Sequence, residues 1–196
     1  MAQEFQSAFK KDDIAGYPLY KYDGEIVLVR SPEESETALR RIGTETVLGF
    51  DTESKPNFRK GMSNNPSLIQ LATLNAVFIF QLKILQLDKA LTTIFSDHRI
   101  IKTGVGIAED MRLLRKLHDF EPAGLVDLGD VARKNTIKTS SLRGLAAIFM
   151  EVRISKAARC SNWSKTELTG KQIDYAATDA WISRQVYMRM REHRLI

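Results

Sequence analysis

Val47-Leu48-Gly49-Phe50-Asp51-Thr52-Glu53 opens apolar and closes acidic. The apolar run Val47–Phe50 reads as a buried strand. Side chains alternate along a strand, so Asp51 and Glu53 share one face, about 6–7 Å apart along the chain. Two carboxylates on one face of a core strand repel each other and lose hydration, and a cation between them relieves both problems. The stretch therefore predicts a central strand over about 46–53, with further acids brought to its end by the rest of the chain to hold metal ions.

Working outward, Glu25–Arg30 (EIVLVR) reads as a short edge strand. Ser31-Pro32-Glu33-Glu34 marks a helix start, with Ser as N-cap, Pro in the first turn and Glu34 at the capping-box position. That helix runs to about Ile42 and stops at Gly43. Downstream, 54–66 is polar, contains Pro and Gly, and reads as a mobile loop or hairpin tip. Ser67–Thr73 and Ala76–Leu82 read as a hairpin extending the sheet. A helix over about 87–97, a strand over 100–105, a helix over 107–118 and a strand over 124–128 follow. Short helices over 128–134 and 141–150 lead into an irregular basic stretch. The last helix is the best marked: Thr169-Gly170-Lys171-Gln172 fits a capping box, and helical spacing continues to about Arg191. Strands come first and helices alternate with strands afterwards, which predicts an α/β fold with a mixed central sheet flanked by helices. Residues 1–24 are polar and read as a loose N-terminal arm, and 25–196 as one domain.

The 196 residues suffice for one well-buried domain. Lys plus Arg number 29 against 24 Asp plus Glu, a modest excess that suits a polyanionic partner. The single cysteine, Cys160, excludes an internal disulfide and a Cys-based zinc site, so the expected location is intracellular and cytoplasmic. No stretch approaches the ~20 apolar residues of a membrane span.

Two further acids stand where acids are unexpected. Asp110 lies beside the helical stripe Ile107, Met111, Leu114 and Leu117. Taken alone, it reads first as a first-turn acid favoured by the helix dipole. Asp179 shares a face of the last helix with Tyr175, Ile182 and Val186, among small and apolar neighbours that solvate an acid poorly. Singly it reads as well as a partly buried acid that caps a neighbouring loop or pairs with a basic residue. Four carboxylates around a dry cleft would suit two hard cations with oxygen ligands.

At these residues the chain resembles the DEDDy class of 3′→5′ exonucleases, within the DnaQ-like and ribonuclease D superfamily. It is most similar to the exonuclease domain of the Werner syndrome helicase and its stand-alone relatives. The likeness spans roughly 25–190 and rests on three motifs. The first is Phe50-Asp51-Thr52-Glu53 with Pro66-Ser67-Leu68-Ile69-Gln70-Leu71. The second is Lys102-Thr103-Gly104-Val105-Gly106-Ile107 through Asp110, and the third is Tyr175-Ala176-Ala177-Thr178-Asp179-Ala180. Arg159-Cys160-Ser161-Asn162-Trp163-Ser164-Lys165 is close to the pattern preceding the last helix. A sister class carries His five residues before the final Asp. That position is Asp174 here, while Tyr175 stands four before. Ser54 departs from the Trp of many Werner-type members, which bears on substrate packing and leaves the acids untouched.

The resemblance implies an RNase H-like fold and a two-ion centre taking Mg²⁺ or Mn²⁺. Asp51 would bridge both ions, Glu53 and Asp179 would complete the shell of the first, and Asp110 would support the second through water. Tyr175 would orient the attacking water rather than remove its proton, because a phenol with a pKa near 10 is a poor base. The implied partner is a nucleic acid with a free 3′ end and the product a nucleoside 5′-monophosphate. A bare nuclease domain implies weak processivity unless a partner tethers it. Three substrate-side readings follow: DNA, single-stranded or 3′-recessed; RNA, as in ribonuclease D-like processing; or a silent nucleic-acid-binding scaffold, which the presence of all four acids and Tyr175 disfavours.

Basic residues crowd 133–171 (Arg133, Lys134, Lys138, Arg143, Arg153, Lys156, Arg159, Lys165 and Lys171), opposed by Glu151 and Glu167. Such a run is commonly a solvated face. Beside a nuclease cleft it reads as phosphate contacts, Arg159 and Lys165 among them, with Lys55, Arg59 and Lys60 from the 54–66 loop. Trp163 and Phe58 are candidates for stacking on unpaired bases, and Trp163 reads equally as core. Gly104-x-Gly106 lacks the third glycine of a dinucleotide fingerprint and reads as a tight turn. Asp127 and Asp130 read as helix caps, Glu109 and Asp174 as surface acids, and Cys160 as a small buried residue. His98, His118 and His193 lack metal-ligand spacing.

Overall fold

The computed structural model describes residues 11–57 and 64–196. After a 3₁₀ turn at Lys11–Gly16, the elements are β1 (Leu19–Tyr20), β2 (Glu25–Val29), α1 (Pro32–Ile42), β3 (Val47–Glu53), β4 (Leu68–Ala72), β5 (Ala76–Gln81) and α2 (Lys89–Ser96). There follow β6 (Ile101–Gly104), α3 (Ile107–Leu114), β7 (Leu125–Asp127), α4 (Leu128–Lys134), α5 (Leu142–Met150), β8 (Arg153–Ile154) and α6 (Gly170–Glu192). The main sheet has the order β2-β5-β4-β3-β6-β7. Only β4 runs against the rest, so the sheet is mixed, with β3 between an antiparallel and a parallel neighbour.

Alternation along β3 sorts the molecule into layers. Leu48 and Phe50 point to one face, where they meet Ile42, Leu91, Phe95, Ile107 and Met111 of α1, α2 and α3. Phe50 and Phe95 pack edge to face at 5.7 Å, an arrangement worth about 1 kcal/mol beyond area burial. Val47, Gly49, Asp51 and Glu53 point to the other face, covered by α6. There Ala176, Ala177 and Ala180 pack against Leu68, Ala72 and Ile79. The helix sits so close that a Cβ on Gly49 would collide with the Ala180 carbonyl. Small residues on α6 and a glycine on β3 thus bring the last helix down onto the acidic strand end.

The helix signals behave as read. Ser31 and Thr169 both close capping boxes, with Glu34 and Gln172 as reciprocal partners. The stripe after Ile107 supports a shorter helix than 107–118, because the backbone tightens into turns after Leu114. The N-terminal arm is not loose where it is described. β1 pairs in parallel with the two-residue strand β8, inside what reads from sequence as an irregular stretch. Tyr22 is buried, its N–H donates to Thr178 Oγ1 at 3.0 Å, and its ring lies 4.8 Å from that of Trp181. Isolated aromatics in a polar segment carry no periodicity, so only the docked structure reveals them. No helix among the described residues is long and apolar enough to cross a membrane.

Candidate active site

Asp51 and Glu53 leave the end of β3 on the α6 face, and Asp179 descends from α6 to meet them. One carboxylate oxygen from each falls within 4.8 Å of the others. Glu53 and Asp179 are buried, while Asp51 is half-buried at the rim. Asp179 Oδ1 has no hydrogen-bond partner among the described residues. An unpartnered buried carboxylate oxygen is costly, and a cluster of three is more so.

The protonation behaviour reflects this. Burial, then the charges of Asp179 and Asp110, push Asp51 well above the ordinary carboxylate range. Burial, then Asp51, Asp179 and Asp110, push Glu53 up to about 10, with the Arg159 guanidinium acting the other way. Burial raises Asp179 to about 7, against the opposing influence of the Tyr175 hydroxyl and the positive charge of Arg143. Three carboxylate oxygens that repel one another when ionised could hold a metal ion, which would remove the repulsion and supply the missing partner.

Asp110 arrives from the opposite side of the sheet. Alternation turns Thr52 away from Asp51 and Glu53, toward α3, and its Oγ1 donates to Asp110 Oδ1 at 2.7 Å. Burial raises Asp110 to about 6, moderated by that hydrogen bond. Asp110 stands outside the tight group of three, yet its charge is felt by both Asp51 and Glu53. Thr52 has no role in the sequence reading, although its place between two acids that share one face turns it to the other.

Tyr175 lies one turn before Asp179. Burial, then the charges of Asp179 and Glu53, hold its hydroxyl well above the usual phenol range. Behind it sits Trp163, fully buried, with ring centroids 5.9 Å apart. Trp163 therefore packs in the core against Tyr175 and is not available to stack on a base. Its loop is stapled to the sheet by Ser67 Oγ to Ser164 Oγ at 3.2 Å and by Gln81 Nε2 donating to the Thr166 carbonyl at 3.0 Å.

A cavity of about 830 Å³ opens onto Tyr175 and Asp179, with Lys138, Arg143, Lys156 and Arg159 in its lining. These four cations come from the basic run. Other members of that run serve the fold: Arg153 Nε donates to the Tyr17 carbonyl at 3.0 Å, and Arg133 pairs with Asp130. Lys55 and Lys165 are exposed but do not line this cavity. Phe58, Arg59 and Lys60 lie outside the described residues. Cys160 is exposed rather than buried. Asp174 is paired with Lys21 at 3.0 Å, and Asp127, not Asp130, caps α4.

These elements make an RNase H-like fold, a mixed sheet with acids from its central strand and last helix. Solved structures share the architecture. The Aedes aegypti Nibbler EXO domain superposes with a TM-score of 0.79 at 22% identity, covering 88% of this chain and 91% of that one. Escherichia coli RNase D superposes with a TM-score of 0.75 at 17% identity, covering 89% of this chain and 47% of that one. The sequence profile of the 3′-5′ exonuclease family matches residues 26–193, and the chain belongs to that family. The mouse bifunctional 3′-5′ exonuclease/ATP-dependent helicase WRN is 30% identical over 183 residues, 88% of this chain and 13% of that protein. Human exonuclease 3′-5′ domain-containing protein 2 is 32% identical over 156 residues, 74% of this chain and 25% of that protein. The chain thus spans a minor part of the length of either relative.

Proposed function

We propose that the chain hydrolyses phosphodiester bonds from the 3′ end of DNA, single-stranded or 3′-recessed, and releases nucleoside 5′-monophosphates in a two-ion centre. The observation that carries this reading is the convergence of Asp51, Glu53 and Asp179 within 4.8 Å, with one buried oxygen of Asp179 unpartnered. Asp51, Glu53 and Asp179 would hold one Mg²⁺ or Mn²⁺, and Asp51 with Asp110 a second. When bound, such a pair supplies positive charge to the attacking and leaving oxygens of an in-line displacement.

The chain's own residues supply binding, aim and proton control. Tyr175 keeps its proton through the neutral range, since its pKa lies above the phenol value. It can therefore orient a water beside Asp179 but cannot deprotonate it. Thr52 holds one oxygen of Asp110, and the other would serve the second ion. Lys138, Arg143, Lys156 and Arg159 would hold the backbone phosphates in the cavity, adding affinity without reading sequence.

The DNA reading comes with the resemblance to the Werner-type exonuclease domain, and the 30% identity to WRN across most of the chain supports that resemblance. The RNA reading has behind it the shared architecture with RNase D, one structure of which is a complex with RNA U12. Discrimination rests on the 2′-hydroxyl. Matched 5′-labelled DNA and RNA oligonucleotides, incubated with Mg²⁺, Mn²⁺ or chelator, test both. The expected result is a ladder shortening from the 3′ end, faster on DNA, lost with chelator and in Asp51→Ala. Cleavage that survives chelator and Asp51→Ala overturns the metal-dependent reading, and faster loss of RNA transfers the assignment to an exoribonuclease.

A further inference from the structure

Asp127 ends β7 and opens α4, and its two oxygens serve different helices. Oδ1 accepts from the N–H groups of Gly129 at 2.8 Å and Asp130 at 3.1 Å, an ordinary N-cap. Oδ2 accepts from the N–H groups of Gly106 at 2.7 Å and Ile107 at 3.1 Å, at the start of α3. Helix α3 has no cap of its own: its N-cap residue is Gly106, in the left-handed region at φ 77°, which offers no side chain. The carboxylate that closes it comes from twenty residues downstream.

The first turn of α3 carries Asp110. Asp110 reaches the β3 acids across the sheet end, through Thr52. Its placement therefore depends on how the start of α3 is anchored. We propose that Asp127 is a positioning residue for Asp110, fixing the Gly104-Val105-Gly106 turn and the first turn of α3 so that Asp110 faces the centre. Asp127 lies outside the three clustered acids, and its oxygens are engaged by backbone N–H groups. This inference rests on the functional reading above only in its kinetic consequence.

The competing reading is that Asp127 merely caps α4, and Asp127→Ser separates the two. Serine is a good N-cap and preserves that role, but its single short oxygen cannot also span to α3. In metal-free protein, amide exchange at Gly106 and Ile107 is expected to accelerate about tenfold, while Gly129 and Asp130 stay protected. On a DNA oligonucleotide, kcat is expected to fall about tenfold or more with KM within about twofold. Mn²⁺ binding, followed by electron paramagnetic resonance, should weaken for part of the bound metal. Asp130→Ser, at a neighbouring acid that caps neither helix, should leave all three readouts in place.

Exchange that opens at Gly106 and Ile107 while kcat and Mn²⁺ binding stay at wild-type values overturns the proposal, and so does exchange that never opens. If the serine variant does not fold, Asp127→Asn keeps the volume and one acceptor and is judged on the same readouts. A wild-type protein that hydrolyses nothing sinks the exonuclease reading, and exchange with Mn²⁺ binding then decide the placement of Asp110 alone.

Discussion

Asp127 and Asp179 are both aspartates at the junction of a helix and the sheet, and the chain treats them oppositely. Asp127 receives four backbone N–H groups and holds two helices. Asp179 stands beside the Tyr175 hydroxyl, which lowers its pKa, and keeps a buried oxygen with no partner among the described residues. The first is an acid whose fold supplies its donors. The second is an acid whose fold withholds them and adds two more acids beside it. The contrast separates a carboxylate that builds the molecule from a cluster of carboxylates that could hold a metal ion.

The sharpest way to break that contrast is to neutralise each side isosterically. Asp179→Asn is expected to lower exonuclease activity by about 10³-fold. The same change should leave the melting temperature of metal-free protein equal or higher, because it removes a buried, unpaired charge. An Asp179→Asn protein that loses stability and keeps activity would reverse the assignment.

A pH series sharpens the same point. Native pKa values raised above the unfolded carboxylate range mean that the native state binds protons more tightly. Stability is then fully present below about pH 4 to 5 and is lost as pH rises through the folded values. The window runs from there through about 6 for Asp110, about 7 for Asp179 and about 10 for Glu53. Metal-free protein should melt lower at pH 8 than at pH 5.5, by about 5 °C or more. Saturating Mg²⁺ or Mn²⁺ should remove most of the difference, since a bound ion replaces the protons. A metal-free melting temperature flat across this range would mean that the acids do not crowd one another.

Much of the site is legible in the residues alone. The strand signal at Val47–Glu53 is strong because four apolar residues run directly into two acids at a spacing of two, and that period is a property of the backbone. Ser31 and Thr169 are legible because a capping box is local chemistry. Asp127 reads as a cap but not as a double cap: the bond to Gly106 spans 21 residues and depends on β6 and β7 lying side by side. Trp163 is ambiguous in sequence for a similar reason, since an aromatic in a basic loop looks the same whether the loop folds inward or outward. The docking of Tyr22 on Thr178 spans 156 residues and leaves no trace in local pattern.

Tyr175 tests the contrast from the donor side. Tyr175→Phe removes the hydroxyl that acts on Asp179 and keeps the packing against Trp163. If the hydroxyl aims the attacking water, kcat should fall about tenfold to a hundredfold with KM little changed. Unchanged kcat would make Tyr175 a core aromatic whose position beside Asp179 is incidental.

The smallest expected effect is at Arg159, which stands between two roles. It lines the cavity that opens onto Tyr175 and Asp179, and its charge also draws Glu53 downward. If phosphate contact dominates, Arg159→Ala should raise the Kd for a single-stranded oligonucleotide severalfold and flatten its salt dependence by about 0.7 in log K against log [salt]. The pH profile of kcat would stay where it was. If the charge at Glu53 dominates, the salt slope should hold and the acid limb of the profile should move up, because Glu53 then releases its proton at higher pH. The exposure of Arg159 favours the first outcome. Solvent screens an exposed guanidinium's pull on a buried carboxylate, whereas a phosphate can meet it at the surface where it stands.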